Sequence, residues 1–191
     1  HITSTPAAQA QIEGLVGYKQ AMPLSCEASA AVDWAAYFGI PLDEKDFFDS
    51  LPRSDNPERG FVGDVYDSWG QIPPASYGIH AWPLAQALRA RGIPARAVAP
   101  LDWDTPRAEI AAGQPVIVWV VGHVERGTPV PYTASDGEEM IVSRYEHTVI
   151  VTGYTPETVT IVDGEKTYTR SLKRFFDSWG VLGEMAVIWD G

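Results

Sequence analysis

One cysteine and two polar residues far downstream could carry chemistry in this chain. Cys26 is the only cysteine among 191 residues. It stands in Gln20-Ala21-Met22-Pro23-Leu24-Ser25-Cys26-Glu27-Ala28, where a Pro-containing approach gives way to an Ala-rich run. A helix predicted from Cys26 to Phe38 and closed by Gly39 puts Cys26 in its first turn. Backbone N–H groups lack partners there, and the positive end of the helix dipole is near. That setting favours the thiolate, the attacking form of cysteine. Gln20 lies six positions upstream, close enough to turn its amide toward the thiol and donate to a developing oxyanion. The chemistry would be nucleophilic attack on a carbonyl. A lone cysteine also serves as a small buried hydrophobe, so position alone leaves both uses open.

A nucleophilic cysteine needs a base, and histidine titrates in the right range. The chain has four: His1, His80, His123 and His147. His1 is terminal, His80 precedes a helix start, and His123 follows a strand at a Gly-containing turn. His147 is better placed, at the start of the strand Tyr145-Glu146-His147-Thr148-Val149-Ile150-Val151-Thr152-Gly153-Tyr154. Its other use is as a satisfied, half-buried histidine. A third group must fix the imidazole, and Asp163 is available at the end of Thr158-Val159-Thr160-Ile161-Val162. If the two strands form a hairpin around Thr155-Pro156-Glu157, Asp163 returns beside His147 across sixteen positions. Asp163-Gly164 also reads as a turn, and the two uses are compatible.

The elements that position these residues read in order. Residues 1–14 form a polar, small-residue arm that opens without Met, as a trimmed or processed end would. Residues 15–191 read as one domain, a size that buries a substantial core. Residues 52–78 are rich in Pro and Gly and interleaved with Phe61, Tyr66, Trp69 and Tyr77, the pattern of a long loop bordering a cleft. Phe61, Trp69, Tyr77 and His80 are the candidate substrate contacts; packing over the core is the alternative. Helices are predicted from Pro83 to Gly92 and from Thr105-Pro106 to Gly113. Strands follow at 115–121, 144–154, 158–162 and 165–170. A short helix capped by Ser171 and ended by Gly180 precedes a last strand at 184–189. Helices first and strands later indicate an α+β domain. The polar stretch 122–143 is expected as a long hairpin overhanging the cleft.

Composition excludes several partners. Hydrophobic residues make up 45%, which argues against disorder. The formal charge of −11 disfavours nucleic acid and anionic membrane surfaces. No apolar run is long enough for membrane insertion. One cysteine rules out an internal disulfide, and with four histidines it leaves too few ligands for a Cys-rich structural zinc site. No metal or other cofactor is expected.

Taken together, Gln20, Cys26 opening a helix, His147 and then Asp163 make the chain resemble the papain-like cysteine peptidases. Within them it resembles the C39-like group, related to leader peptidases of bacteriocin exporters. The same resemblance is carried by Leu24-Ser25-Cys26-Glu27, Asn56-Pro57-Glu58-Arg59-Gly60-Phe61-Val62-Gly63 and Tyr77-Gly78-Ile79-His80. Gly113-Gln114-Pro115-Val116-Ile117-Val118-Trp119-Val120, the His147 strand and Phe175…Trp179-Gly180 extend it across residues 18–190. The resemblance implies a papain-like fold, a helical half on an antiparallel sheet half with the site between them. It implies Gln20 as oxyanion donor, Cys26 as nucleophile, His147 as base and Asp163 as orienter. The chain carries no ATP-binding or membrane-spanning portion, so cleavage coupled to export is not implied. The expected partner is a peptide or protein substrate, met by a monomer outside the cell or at its surface. Two alternatives stay open: acyl transfer to an amine, as in transglutaminase-like enzymes, and a silent module that binds peptide or glycan. Amine capture tests the first, and a thiol-reactive probe tests the second.

Overall fold

The computed structural model describes residues 5–191; His1 lies outside the described residues. In chain order the elements are β1 (Ala10–Gln11), α1 (Cys26–Tyr37), α2 (Glu44–Asp49), α3 (Ala81–Ala90), β2 (Ala95–Val98), α4 (Asp104–Ala111), β3 (Val116–Val121), β4 (Val130–Thr133), β5 (Glu139–Val142), β6 (Glu146–Tyr154), β7 (Thr158–Asp163), β8 (Lys166–Ser171), α5 (Leu172–Val181) and β9 (Ala186–Trp189). The main sheet is antiparallel in the order β2-β9-β3-β6-β7-β8, with β1 beside β6. This is the expected α+β architecture.

Strands β3 and β6 are the middle of the sheet, and neither turns a face to water. All six residues of β3 and all nine of β6 are buried. Alternation sends their side chains to two cores. One core lies under α1, α2 and α3 and contains Trp34, Phe47, Leu84, Leu88, Ile117, Trp119 and Ile150. The other lies under α4 and α5 and contains Ile110, Val118, Val149, Val151, Ile161, Phe175 and Trp179. Each fully buried aliphatic contributes about 1.5–3 kcal/mol of transfer energy. The large indoles also spend their N–H groups well. Trp34 Nε1 donates to Pro115 O at 2.7 Å and Trp119 Nε1 to Ile79 O at 2.9 Å, tying α1 and the α3 approach to β3.

Local chemistry sets the ends. Ser171 Oγ accepts from Arg174 N and caps α5, as its sequence predicts. That helix runs past Gly180 to Val181, and Gly183, at φ +76°, takes the left-handed position beyond it. Helix α3 starts at Ala81, before Pro83, because proline is tolerated in a first turn whose N–H groups lack partners anyway. Residues of the expected N-terminal arm lie along the sheet: Ala10 and Gln11 pair with Tyr154 and Gly153, and Ile12 is buried. The polar stretch before β6 does form a hairpin, β4 with β5. It docks on the 52–78 loop through Asn56 Nδ2, which donates to Asp136 and Glu138.

Candidate active site

Helix α1 presents Cys26 at its first position, and the sheet presents the rest. His147 is the second residue of β6 and Asp163 the last of β7. The β6–β7 hairpin brings them together: His147 Nε2 and Asp163 Oδ1 are 2.7 Å apart. With that proton directed at Asp163, Nδ1 is the free position of a neutral ring. Both residues are buried. Cys26, His147, Gln20, Pro23, Leu24, Trp69, Tyr77, His123 and Glu146 line one cleft of about 160 Å³.

The model described as the Peptidase_C39 like family matches residues 8–187. The chain belongs to that family. A crystal structure described as a candidate C39-like peptidase from Bacillus anthracis superposes with a TM-score of 0.84 at 21% identity, over 97% of this chain and 98% of that one. The peptidase domain of Streptococcus ComA, a bifunctional ABC transporter of a quorum-sensing pathway, superposes with a TM-score of 0.54 at 13% identity. It covers 93% of this chain and 100% of that one. The fold is therefore that of the C39-like peptidases. A search of curated protein sequences found no match.

Asp163 holds more than one partner in this C39-like site. Its Oδ2 lies 2.6 Å from His123 Nδ1 and accepts the Tyr168 hydroxyl at 2.6 Å. Burial alone would raise its carboxyl. The bond and charge of His147, then Tyr168 and His123, outweigh that and hold it well below the ordinary carboxylate range. In the sequence His123 reads only as a residue that follows a strand at a turn. Its signal was there: β3 pairs with β6, so residues just after Val121 arrive beside Glu146 and His147. Trp69 closes this side, its ring tilted 5.6 Å from both imidazoles and its Nε1 donating to Glu146 O at 2.8 Å.

Three expectations change. The first concerns Cys26, whose thiol donates to Glu27 Oε2 at 3.0 Å. Burial, then Glu27 and Glu146, push the thiol well above its ordinary value, and the backbone N–H of Thr148 offsets only part of this. A helix terminus favours the thiolate by about 0.3–2 kcal/mol. A carboxylate at this distance opposes it by about 5 kcal/mol at an effective dielectric near 20. The neutral thiol wins, opposite to the expectation from the helix alone. The second concerns Gln20. It lines the cleft, but its amide donates to Met22 O at 2.9 Å and Pro23 O at 2.8 Å, so both hydrogens are engaged at rest.

The third concerns the aromatic contacts. Trp69 and Tyr77 line the cleft, whereas Phe61 and His80 do not reach it. Phe61 is buried edge-on against Phe48. His80 is fully buried, bonded to the Tyr77 hydroxyl at 2.8 Å and to Glu58. Their place in a turn-rich aromatic stretch predicts substrate contacts, and both are instead buried groups that hold that stretch down.

Among the described residues, two clusters bring three possible ligand atoms within 4.8 Å of one another: His123, His147 and Asp163, and Cys26, Glu27 and Glu146. In the first, hydrogen bonds to Asp163 account for the approach without an ion. The second combines one thiol with two fully buried carboxyl groups.

Proposed function

We propose that this C39-like protein is a cysteine peptidase that uses Cys26, His147 and Asp163. The observation that carries the reading is the 2.7 Å His147–Asp163 bond in a cleft that Cys26 also lines. Asp163 fixes the Nε2–H tautomer, which leaves the Nδ1 lone pair as base. When a peptide carbonyl enters, the Cys26 proton moves to Nδ1 and the sulfur attacks the carbonyl carbon. The resting thiol is neutral, so proton transfer and attack are linked rather than separated by a standing ion pair. The oxyanion meets the unpaired N–H groups of the first turn of α1. Gln20 supplies a second donor by turning one hydrogen away from Pro23 O, the more exposed of its two acceptors.

Imidazolium then gives its proton to the leaving amine, and the C–N bond breaks to leave a thioester on Cys26. Water adds to the thioester as His147 takes its proton. Collapse returns the thiol and releases the acid. Trp69, Tyr77 and Leu24 give the cleft an apolar lining beside the nucleophile. That suits an uncharged substrate side chain next to the scissile bond. Extracellular or cell-surface action on peptides or proteins by a monomer is part of the same proposal. No helix of the described residues is long and apolar enough to cross a membrane.

The test is a peptide library incubated with the wild-type protein and with Cys26→Ala, read by mass spectrometry. Cleavage by the wild type alone supports the proposal. Adding a primary amine separates hydrolysis from transfer, since a transferase yields the new amide. If no peptide changes and a thiol-reactive probe fails to label Cys26 with peptide present, the protein is a binding module.

A further inference from the structure

Glu27 and Glu146 stand together beneath the cleft, one on α1 and one at the start of β6. Their relative exposures are 1% and 2%. Gly78 lies against both. A Cβ on it would fall 2.2 Å from Glu27 Oε1 and 2.6 Å from Glu146 Oε2, so these two oxygens flank one small space that only a glycine leaves open. Two carboxylates this close in a dry site cannot both ionise, and such a pair titrates as a unit with one proton held to high pH.

The hydrogen bonds say where that proton sits. Glu27 is aimed at by donors on both oxygens: Ile79 N–H reaches Oε1 at 2.9 Å, and the Cys26 thiol reaches Oε2 at 3.0 Å. Two donors favour the charged form of Glu27 over that of Glu146, against a burial that raises both carboxyls. Glu146 is the reverse. Its Oε1 has only the Thr148 hydroxyl at 3.4 Å, and its Oε2 is buried with no partner among the described residues. A buried oxygen without a donor costs about 1–3 kcal/mol. The cost vanishes if Oε2 carries a proton and gives it to Glu27 across the Gly78 gap. Burial and the neighbouring Glu27 push Glu146 well above the usual carboxylate range, which agrees.

We infer that Glu27 and Glu146 share a single proton held on Glu146, and that the Glu27 carboxylate is the positioning residue that keeps Cys26 as a neutral, directed thiol. The role of Cys26 as nucleophile rests on the peptidase reading above, but its titration is measurable in a protein that hydrolyses nothing. Facing the thiol are Glu27 from its own helix, Glu146 and His147 from β6, Tyr77 from the loop before α3 and His123 from the turn after β3, with Asp33 further along α1. Glu58 and His80 stand behind Tyr77. All but the substituted carboxyl are common to the variants below.

The experiment is the pH profile of iodoacetamide alkylation, which reports Cys26 alone because the chain has no other cysteine. In the wild type the midpoint should lie above the ordinary thiol value of about 8.5. Glu27→Gln removes the charge that opposes the thiolate, so its midpoint should fall by about one to three pH units. Glu146→Gln puts an N–H where the acid had an O–H and leaves the Glu27 charge in place, so its midpoint should fall far less than that of Glu27→Gln. An unmoved midpoint in Glu27→Gln overturns the inference. So does an equal fall in both variants, which would mean that both carboxyls are charged. Melting curves confirm that each variant is folded.

If Glu27→Gln does not fold, infrared spectroscopy decides on the other two proteins. At about pH 9 ordinary carboxyls are ionised. The wild type should still show one protonated-carboxyl C=O band, and Glu146→Gln should lack it. A wild type without the band, or a band that survives Glu146→Gln, overturns the assignment.

Discussion

His147 Nε2 and Asp163 Oδ1 lie 2.7 Å apart, while the other oxygen of Asp163 is divided between His123 and Tyr168. The two histidines are not equivalent. His147 is buried, and the His123 side chain is 54% exposed. His147→Ala removes the base and should cost about 10²–10⁴ in kcat/KM. Asp163→Ala removes only the orienter and should cost less, because a water can hold the ring in part of its range. His123→Ala should cost least, since Asp163 keeps both His147 and Tyr168. The check is kcat/KM for the three variants with a melting curve for each. Equal losses for His123→Ala and His147→Ala would mean that the base has been assigned to the wrong ring.

Gly17 braces the turn that carries Asp163. A Cβ there would meet Gly164 O at 2.0 Å and Val162 Cγ1 at 2.6 Å. A backbone oxygen at the end of β7 cannot step aside without taking Asp163 with it. Gly17→Ala should destabilise the protein by about 1–3 kcal/mol through overpacking. At roughly 2–4 °C of melting temperature per kcal/mol, the loss is visible in a simple scan. Activity should fall as well at temperatures where the variant is fully folded. A variant with a lowered melting point and wild-type kcat/KM would show that the turn relaxes without moving the carboxylate.

The parts of this site that were legible in the sequence are those fixed by local signals. The Ala-rich run after Pro23 and its stop at Gly39 place Cys26 at a helix start. The 155–157 turn between two β-branched runs returns Asp163 to His147. The six-residue apolar run of β3 can only be a central strand. What the sequence hid depends on tertiary packing. The six residues of α2 are too few for periodicity to speak. No local signal marks Glu27 as buried, and a charged side chain rarely is; the same holds for Glu146 but for one clue. One clue existed for Glu146: it shares strand parity with Thr148 and Ile150, and Ile150 packs on the α1 side. Phe61 and His80 failed in the opposite direction. Their turn-rich surroundings suggested exposure, yet Phe48 and Tyr77 bury them.

Gln20 holds the Met22–Pro23 bend at rest and is placed to serve the oxyanion during turnover. The two roles separate kinetically. A donor used only in the transition state lowers kcat when removed and leaves KM nearly unchanged. Gln20→Ala should therefore lower kcat by about 10²–10³. A brace that matters only for the bend would instead lower the melting temperature and spare kcat. Full activity with a reduced melting point would assign the oxyanion to the backbone of α1 alone.

Asp33 gives a pH signature that does not involve the catalytic groups. It is buried on α1, accepts Tyr18 N–H at 3.1 Å, and has Glu44 as a charged neighbour. Burial raises its carboxyl to about 7, with Glu44 adding and the Tyr18 bond opposing. In the unfolded chain an aspartate titrates near 3.9. The folded value is the higher one, so the folded state binds more protons between these limits, and stability falls as pH rises from about 4 to about 7. Above that range the loss is complete and constant. Asn keeps the acceptor for Tyr18 and cannot ionise. Asp33→Asn should thus melt a few degrees above the wild type at about pH 8, and the gap should close toward about pH 4. Because the site is partly solvated, the gain will fall short of what the full shift implies. Melting curves at matched ionic strength across that range decide the point. A difference between the two proteins that is constant with pH would mean that Asp33 is ionised throughout and that its carboxylate is satisfied by the Tyr18 bond.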